Sequence, residues 1–241
     1  MKEVILHHKE EFRALLEDYH VSDQARELLK QMPLVILQGI TGSGRNAIIS
    51  YMVEHMPYHQ IVSDTTRPPK LRDGKMEENG IQYFFRTEEE MLEDLRQGLF
   101  LEAELIHDQQ VSGTSIRELK RAQESGKMPI NEVARQGVEN IRRAKPDTFF
   151  FFIVPPSYEE WMKRLTARET MTSAELENRK ESAVLELKGA LRPESDFIFV
   201  VNHTLERAAE EISRATREGV DVKHQIEGRA VAQELLKQLM A

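Results

Sequence analysis

Compact apolar runs alternate with helical patterns over most of the chain. The clearest runs are LVILQG (34–39), MPINEV (128–133), TFFFFIV (148–154) and DFIFVVN (196–202). LVILQG and TFFFFIV are continuous rather than alternating, which is typical of strands buried on both faces. Helical patterns begin near Arg45, Ser115, Gln136, Ser157 and Thr204. This alternation predicts an α/β fold with a parallel core sheet covered by helices.

Between the first two runs the pattern is less regular. We predict strands in IVSDTT (61–66) and LFLEAEL (99–105), with LFLEAEL continuing the same strand–helix alternation. A capping box, T-E-E-E from Thr87, predicts the start of a helix. The segment TRPPKLRDGKMEENG (66–80) contains prolines and glycines that indicate turns rather than regular structure.

Three polar helical segments complete the pattern. Residues 1–31 predict one or two helices, and EGRAVAQELLKQLMA (227–241) predicts an amphipathic helix. Residues 170–190 form a long charged pattern that opens with a capping box, which is typical of a solvated lid. We expect the terminal helices to pack on the domain surface, with homodimer formation or binding of a protein partner as the alternatives.

Composition excludes several classes of function. The 241 residues carry a net charge of −8, so we expect no general affinity for nucleic acid. The chain has no cysteine, which excludes disulfide scaffolds, thiolate zinc sites and cysteine nucleophiles. The longest apolar run falls far short of the roughly 20 residues that cross a bilayer, and the N-terminus lacks a secretory pattern. We therefore expect a cytoplasmic protein without a membrane partner.

A glycine-rich loop, GITGSGRN (39–46), follows the first predicted strand and precedes a helix. In this context backbone N–H groups and the helix dipole favour phosphate binding. Arg45 stands where such loops usually carry lysine, and Asn46 replaces the usual Ser or Thr that contacts magnesium. Arginine keeps the positive charge as a planar fork. Asn46 is the one candidate metal ligand, through its amide oxygen.

Five ordered motifs resemble one family. VSDTTRPPK (62–70), EENGIQYFF (77–85), and FLEAEL (100–105) with SGTS (112–115) resemble the GMP-binding region of guanylate kinases. Residues 150–187 resemble the same family's strand, Pro-Pro-Ser turn and arginine-bearing lid, and SDFIFVVN (195–202) resembles its last core strand. The resemblance implies a three-layer P-loop fold with a small GMP-binding subdomain and a helical lid.

The resemblance also implies domain boundaries. We expect an N-terminal helical extension at 1–32, a guanylate kinase-like domain at 33–218 and a C-terminal helix at 219–241. Within the central domain, the GMP-binding region is expected at about 61–115 and the lid at about 164–190.

The acceptor residues that the resemblance implies suit the chemistry of GMP. The phosphate requires hydroxyl and cationic donors, whereas the guanine N1–H and amino group require carboxylate acceptors. Glu102 would accept from the guanine edge, Thr114 would donate to O6, and Glu132 fits the first acidic position of the family's D-x-D-x-Q-G motif, in which Ala134 replaces the second. The implied GMP-binding set is Ser63, Arg67, Lys70, Arg72, Glu77, Tyr83, Glu102, Thr114 and Glu132.

The donor residues follow from the same resemblance. ATP is the implied co-substrate, with Mg²⁺ held largely by phosphates and waters. Arginines on the lid would neutralise charge that develops on the transferred phosphoryl group. The implied catalytic set is Arg45, Arg164, Arg168 and Arg179, and the implied ATP-binding set is Gly39, Thr41, Gly42, Ser43, Gly44, Arg45, Asn46 and Asn202.

Two functions remain open from the sequence. The first is an enzyme of purine metabolism that phosphorylates GMP to GDP with ATP. The second is a catalytically weak or inactive module of the same fold that binds GMP or a phosphorylated protein partner. Kinases for AMP or UMP are less expected, because those bases would leave the carboxylates of Glu102 and Glu132 unpaired.

Overall fold

The computed structural model describes residues 6–72, 74–133, 135–167 and 172–240. These residues divide into two compact units. The first unit comprises the described residues up to 34 together with those in 59–131 and 136–148, and the second comprises 35–58, 132–135 and those from 149 onward. The predicted residues Arg168 and Ala134 lie outside the described residues.

The described residues form ten helices and eleven strands. The helices are α1 (Lys9–Glu17), α2 (Asp23–Lys30), α3 (Arg45–His55), α4 (Glu88–Arg96), α5 (Ile116–Glu124), α6 (Arg135–Ala144), α7 (Tyr158–Thr166), α8 (Ser173–Ala190), α9 (Leu205–Glu218) and α10 (Val222–Met240). The strands are β1 (Val35–Gln38), β2 (Tyr58–Gln60), β3 (Asp64–Thr65), β4 (Leu71–Arg72), β5 (Lys75–Met76), β6 (Phe84–Phe85), β7 (Phe100–Ile106), β8 (Gln110–Ser115), β9 (Met128–Glu132), β10 (Phe149–Val154) and β11 (Ile198–Val201).

Parallel strands form the core of the second unit. β10 lies between β1 and β11 and pairs in parallel with both, with Phe151 opposite Leu37 on one side and Ile198 on the other. Four of the six β10 side chains are less than 1% exposed, and all of β1 is buried. Burial of both faces explains why these runs are continuously apolar. The predicted α/β fold with a parallel core sheet is confirmed.

The first unit contains a separate four-stranded sheet in the order β6-β3-β8-β7. β8 pairs antiparallel with both β3 and β7, and β7 turns into β8 through His107 and Asp108, both with positive φ. Our expectation that residues 99–105 continue the parallel strand–helix alternation is therefore wrong. The short connection permits a hairpin, whereas a parallel pair would need a crossover of a dozen or more residues.

The proline- and glycine-rich segment 66–80 contains more regular structure than expected. β4 and β5 pair antiparallel, with Leu71 opposite Met76, so the expectation of turns alone is wrong. Gly74 adopts a φ of 76° in the connection between the two strands. Both apolar side chains of the pair are exposed, which explains why no buried run marked this hairpin.

The N-terminal helices belong to the core of the first unit. Phe12 of α1 is fully buried in a cluster with residues of α4 and β7, among them Met91, Leu95 and Phe100. Ser22 caps α2 by accepting a hydrogen bond from the N–H of Ala25.

Within the described residues, no helix combines the length and apolar character that a membrane span requires.

The C-terminal helix α10 packs within the second unit against β11 and α8. Gly228 lies so close to Phe199 that an added Cβ would come within 2.7 Å of that side chain. Gln225 also accepts from the N–H of Phe199 and donates to the carbonyl of Phe197. The expectation that the terminal helices pack on the protein is consistent with these contacts.

Candidate active site

The loop between β1 and α3 has the geometry of an anion site. Gly39, Gly42 and Gly44 adopt positive φ values of 152°, 86° and 95°. Gly44 precedes α3 without a side-chain cap, and the first N–H groups of a helix have no acceptor within the helix itself. These N–H groups and the positive end of the helix dipole are therefore available to phosphate oxygens.

Two long-range hydrogen bonds hold the backbone of this loop. The indole Nε1 of Trp161 donates to the carbonyl of Thr41 at 2.8 Å, and the amide of Asn202 donates to the carbonyl of Ser43 at 2.8 Å. The side chain of Ser43 is fully buried. The backbone N–H of Ser43 donates to the carbonyl of Ile40. Ser43 therefore shapes the loop, while the start of α3 offers the donors.

The unusual Arg45 side chain lies among charged groups of the second unit. Its Nε is 3.4 Å from Oε2 of Glu132. Burial raises the pKa of Glu186, although the positive charges of Arg45 and Arg135 oppose that change. The loop arginine is thus part of a group of two cations and two carboxyls, which we call the Arg45 cluster: Arg45, Arg135, Glu132 and Glu186.

The expected lid arginines differ in their surroundings. Arg164 donates to Glu160 at 2.8 Å and to the carbonyl of Asn202 at 3.1 Å, so it contacts the residue that holds the glycine-rich loop at 39–46. Arg179 lies half-buried on α8, which begins with the predicted capping box at Thr172. The structure therefore connects Arg164 to the loop through Asn202.

In the first unit, Arg67 and Glu77 form a buried ion pair. The guanidinium donates to both carboxylate oxygens, at 2.5 and 3.0 Å, and Glu77 also accepts from the backbone N–H of Lys70 at 2.9 Å. The Arg67 guanidinium carbon lies 4.6 Å from the centre of the Tyr83 ring, within the range of a cation–π contact. Three predicted acceptor residues, Arg67, Glu77 and Tyr83, are thus brought together.

The remaining predicted phosphate ligands are Ser63, Lys70 and Arg72. The Lys70 side chain is exposed, and the amide of Asn131 approaches Ser63 Oγ at 3.5 Å. Arg72 lies on β4, and its side chain lies outside the described part of the structure. Exposure leaves the ammonium group of Lys70 free to move toward an anion.

Glu102 and Thr114 face each other across β7 and β8. The Thr114 hydroxyl donates to Glu102 Oε1 at 2.8 Å, and both side chains are buried. Burial raises the pKa of Glu102 to about 7, while the hydrogen bond from Thr114 works in the opposite direction. A buried carboxyl that titrates near neutral pH is a group of the kind found at functional sites.

Comparison with known proteins decides the family. The family model described as guanylate kinase matches residues 31–218. This chain belongs to the guanylate kinase family. The chain is 32% identical to the guanylate kinase of Leifsonia xyli subsp. xyli over 201 residues, which are 83% of this chain and 76% of that protein. It is 31% identical to guanylate kinase 1 of Arabidopsis thaliana over 71% of this chain, and the match covers 44% of that longer protein.

A solved structure supports the fold of this guanylate kinase family member. The guanylate kinase from Anaplasma phagocytophilum aligns with 93% of this chain, and the alignment includes 97% of that structure, with a TM-score of 0.54. The two sequences are 21% identical, so the similarity concerns the fold. The family match ends at residue 218, and α10 therefore lies beyond it.

The described residues offer a limited set of metal ligands for this family member. No cluster of three or more acidic or histidine side chains with metal-binding geometry occurs in the ranges that the structure describes. Asn46 is exposed in the first turn of α3. This donor set fits Mg²⁺ only where substrate phosphates and waters supply most ligands, which is the usual manner in which proteins bind this ion.

Several contacts at the candidate site carry no sequence signal. Trp161 contacts the glycine-rich loop at 39–46 from 120 residues away in the sequence, and Glu186 belongs to the Arg45 cluster although it lies on the charged helix α8. A cavity of about 600 Å³ in the first unit is lined by Glu102 and by N-terminal residues that include Tyr19 and Arg26. A family motif can identify Glu102, but contacts from a segment outside the matched region follow from tertiary packing alone.

Proposed function

We propose that this protein transfers the terminal phosphoryl group of ATP to GMP, giving ADP and GDP. The buried pair of Glu102 and Thr114 is the observation that carries this proposal. Ionised Glu102 would accept from guanine N1–H and the 2-amino group, and Thr114 would turn its hydroxyl toward O6. Adenine and uracil do not offer this combination, so the pair favours guanine as the acceptor base.

The first unit would also bind the GMP phosphate. Arg67 is buried and held by Glu77, while Tyr83 and the exposed Lys70 lie beside it. We propose that Arg67 and Lys70 supply positive charge, Tyr83 and Ser63 supply hydroxyl donors, and Glu77 orients Arg67. A pre-oriented guanidinium loses little freedom when it binds a phosphate, which lowers the cost of binding.

The second unit would bind the donor. The N–H groups at the start of α3 would bind ATP phosphate oxygens, and Arg45 would supply the cation that lysine provides in most such loops. Arg164, Arg168 and Arg179 would neutralise charge that develops on the transferred group. Bound Mg²⁺ would neutralise phosphate charge, and Asn46 would hold it together with phosphates and waters.

We also propose a setting for the reaction. The product belongs to purine nucleotide metabolism, and the absence of cysteine suits a reducing compartment such as the cytoplasm. Formation of a homodimer, or binding of a protein partner, through the terminal helices stays the alternative to their packing on the domain surface.

A coupled assay of ADP formation tests the function. Purified protein is mixed with ATP, Mg²⁺ and GMP, dGMP, AMP or UMP, and GMP binding is measured separately by calorimetry. We expect turnover with GMP and dGMP and little with AMP or UMP. GMP binding without turnover would overturn the kinase proposal and favour the binding module. Absence of both would exclude the kinase and a GMP-binding module, and would leave only a module that binds a phosphorylated protein partner.

Variants of the loop assign the donor role. Arg45→Ala should lower kcat about a hundred- to a thousandfold, because removal of one transition-state donor costs about 2.7–4 kcal/mol. Arg45→Lys should retain most of the activity. Arg192→Ala, which removes an exposed arginine of the second unit, is the matched control and should behave as the wild type. Equal activity of Arg45→Ala and the control would show that Arg45 does not bind the donor.

A further inference from the structure

The phenol of Tyr19 is bonded to the backbone of an edge strand. β7 is the last strand in the order β6-β3-β8-β7. The Tyr19 hydroxyl accepts from the N–H of Phe100 at 2.8 Å and donates to the carbonyl of the same residue at 2.7 Å. Because unpaired backbone groups on an edge strand need partners, this hydroxyl completes the hydrogen bonding at the start of β7.

The backbone around Tyr19 fits the same strand closely. The N–H of Ser22 donates to the carbonyl of Gly98 at 3.0 Å. Gly98 has a φ of 65°, and an added Cβ would lie 2.5 Å from the Ser22 nitrogen. Burial raises the pKa of Tyr19 above its ordinary value, so the phenol keeps its proton and can donate. The contact is therefore specific to a protonated phenol at this position.

A bulge connects this contact to the candidate guanine site. Phe100 lies opposite Ser115 and Glu102 lies opposite Thr114, with a register shift between the two pairs. A bulge changes the direction of the side chains beside it. Tyr19 holds the residue on one side of this bulge, and the buried Glu102 carboxyl lies on the other.

We propose that Tyr19 is a positioning residue for the acceptor base: its hydroxyl holds the bulge of β7 so that Glu102 faces the guanine edge. This inference rests on the proposed function. The N-terminal segment at residues 9–30 then contributes to base selectivity in addition to stability. Residue 19 lies outside residues 31–218, which match the family model, so this contribution would come from outside that matched region.

The test compares GMP with IMP, whose base lacks the 2-amino group. Glu102 can accept two hydrogen bonds from guanine but only one from hypoxanthine, so its position determines the ratio of kcat/KM for the two substrates. We expect Tyr19→Phe to lower the GMP:IMP ratio about tenfold, equivalent to about 1.4 kcal/mol. The change should appear in KM for GMP with kcat nearly unchanged.

Two controls separate positioning from general stability. Leu15→Ala removes α1 packing without removing a hydrogen bond, and it should leave the GMP:IMP ratio unchanged even where it lowers stability. Glu102→Gln should lower the ratio at least as far as Tyr19→Phe does. If Tyr19→Phe fails to fold, Gly98→Ala displaces Ser22 while keeping the phenol and should lower the ratio in the same direction.

The outcomes distinguish this inference from the proposed function. A lower ratio in Glu102→Gln but an unchanged ratio in Tyr19→Phe would overturn the role of Tyr19 and leave the kinase function intact. Equal changes in Tyr19→Phe and Leu15→Ala would also overturn it. A wild-type protein that neither binds nor phosphorylates GMP would overturn both.

Discussion

Substitution of Glu102 by glutamine should change how stability depends on pH. Burial raises the pKa of Glu102 from the ordinary 4.5 to about 7. Below pH 4.5 the carboxyl is protonated in both the folded and the unfolded chain, so the full stabilising contribution of its neutral form is present. As pH rises toward 7 the unfolded chain releases the proton first, and folding then requires a protonation or the burial of a charge.

The size of the Glu102 pKa shift determines how strongly the free energy of unfolding depends on pH. A difference of about 2.5 pKa units is about 3 kcal/mol at 1.36 kcal/mol per unit. The wild-type protein should lose most of this contribution between pH 5 and pH 8, whereas Glu102→Gln is neutral throughout and should lose none of it. The free energy of unfolding of the variant minus that of the wild type should therefore rise by about 2–3 kcal/mol over this interval.

Urea titrations at half-unit steps from pH 5 to pH 8 measure this difference. Other carboxyls with raised pKa values, such as Asp64 and Glu186, contribute equally to both proteins and cancel. Glu78→Gln, at an exposed position, is the matched control and should show a constant difference from the wild type. A constant difference for Glu102→Gln as well would refute the argument that burial controls this carboxyl.

The same titration should appear in ligand binding. On the proposed function, guanine binds to ionised Glu102. GMP affinity of the wild type should then rise about tenfold from pH 6 to pH 8, as the ionised fraction grows around the pKa of about 7. The GMP phosphate also titrates in this range, but it does so for every variant. Calorimetry with Glu102→Gln measures the change in GMP affinity that comes from titration of the phosphate alone. An identical dependence of GMP affinity on pH in the variant and the wild type would contradict the role of Glu102.

Three further substitutions test the surroundings of the site. Glu77→Gln leaves Arg67 buried without its full counter-charge and should cost about 3–5 kcal/mol in urea unfolding; a cost below about 1 kcal/mol would show that the pair is dispensable. Gly39→Ala introduces a Cβ that collides with a carbonyl of β10, and it should destabilise the second unit by about 1–3 kcal/mol and raise KM for ATP. Trp161→Phe removes the bond to Thr41 and should cost about 1 kcal/mol, with KM raised for ATP and unchanged for GMP.

The sequence predicts the second unit more accurately than the first because of how each sheet is buried. β1 and β10 are covered on both faces, so their apolar runs are continuous and indicate parallel strands. β8 has the sequence QVSGTS, whose polar residues fall partly on the face that carries Thr114. An apolar run also does not identify the strand with which it pairs, so the sequence predicts LFLEAEL as part of the parallel pattern although it forms an antiparallel hairpin.

Some residues of the candidate site can also be predicted from the sequence, whereas others cannot. Glycines with required positive φ and a helix start can be located by spacing, and the predicted loop at 39–46 has that geometry. The ordered motifs locate Arg67, Glu102 and Thr114, which the structure places in two buried pairs together with Glu77. Tyr19 carries no such signal, because its partner is 81 residues away and is a backbone group.

The Arg45 cluster shows why the unusual loop residue should be considered with its surroundings. A guanidinium is always charged and presents a planar fork, whereas lysine presents a flexible point charge. Here the fork lies against Glu132, and partial burial raises the pKa of the half-buried Glu186 carboxyl while the charge of Arg45 opposes that change. On the proposed function, a triphosphate bound at this loop would add negative charge, and nearby negative charge raises the pKa of a carboxyl further. A carboxyl whose pKa is raised competes less with phosphate for the guanidinium of Arg45, and the variants Arg45→Ala and Arg45→Lys test whether Arg45 binds the donor.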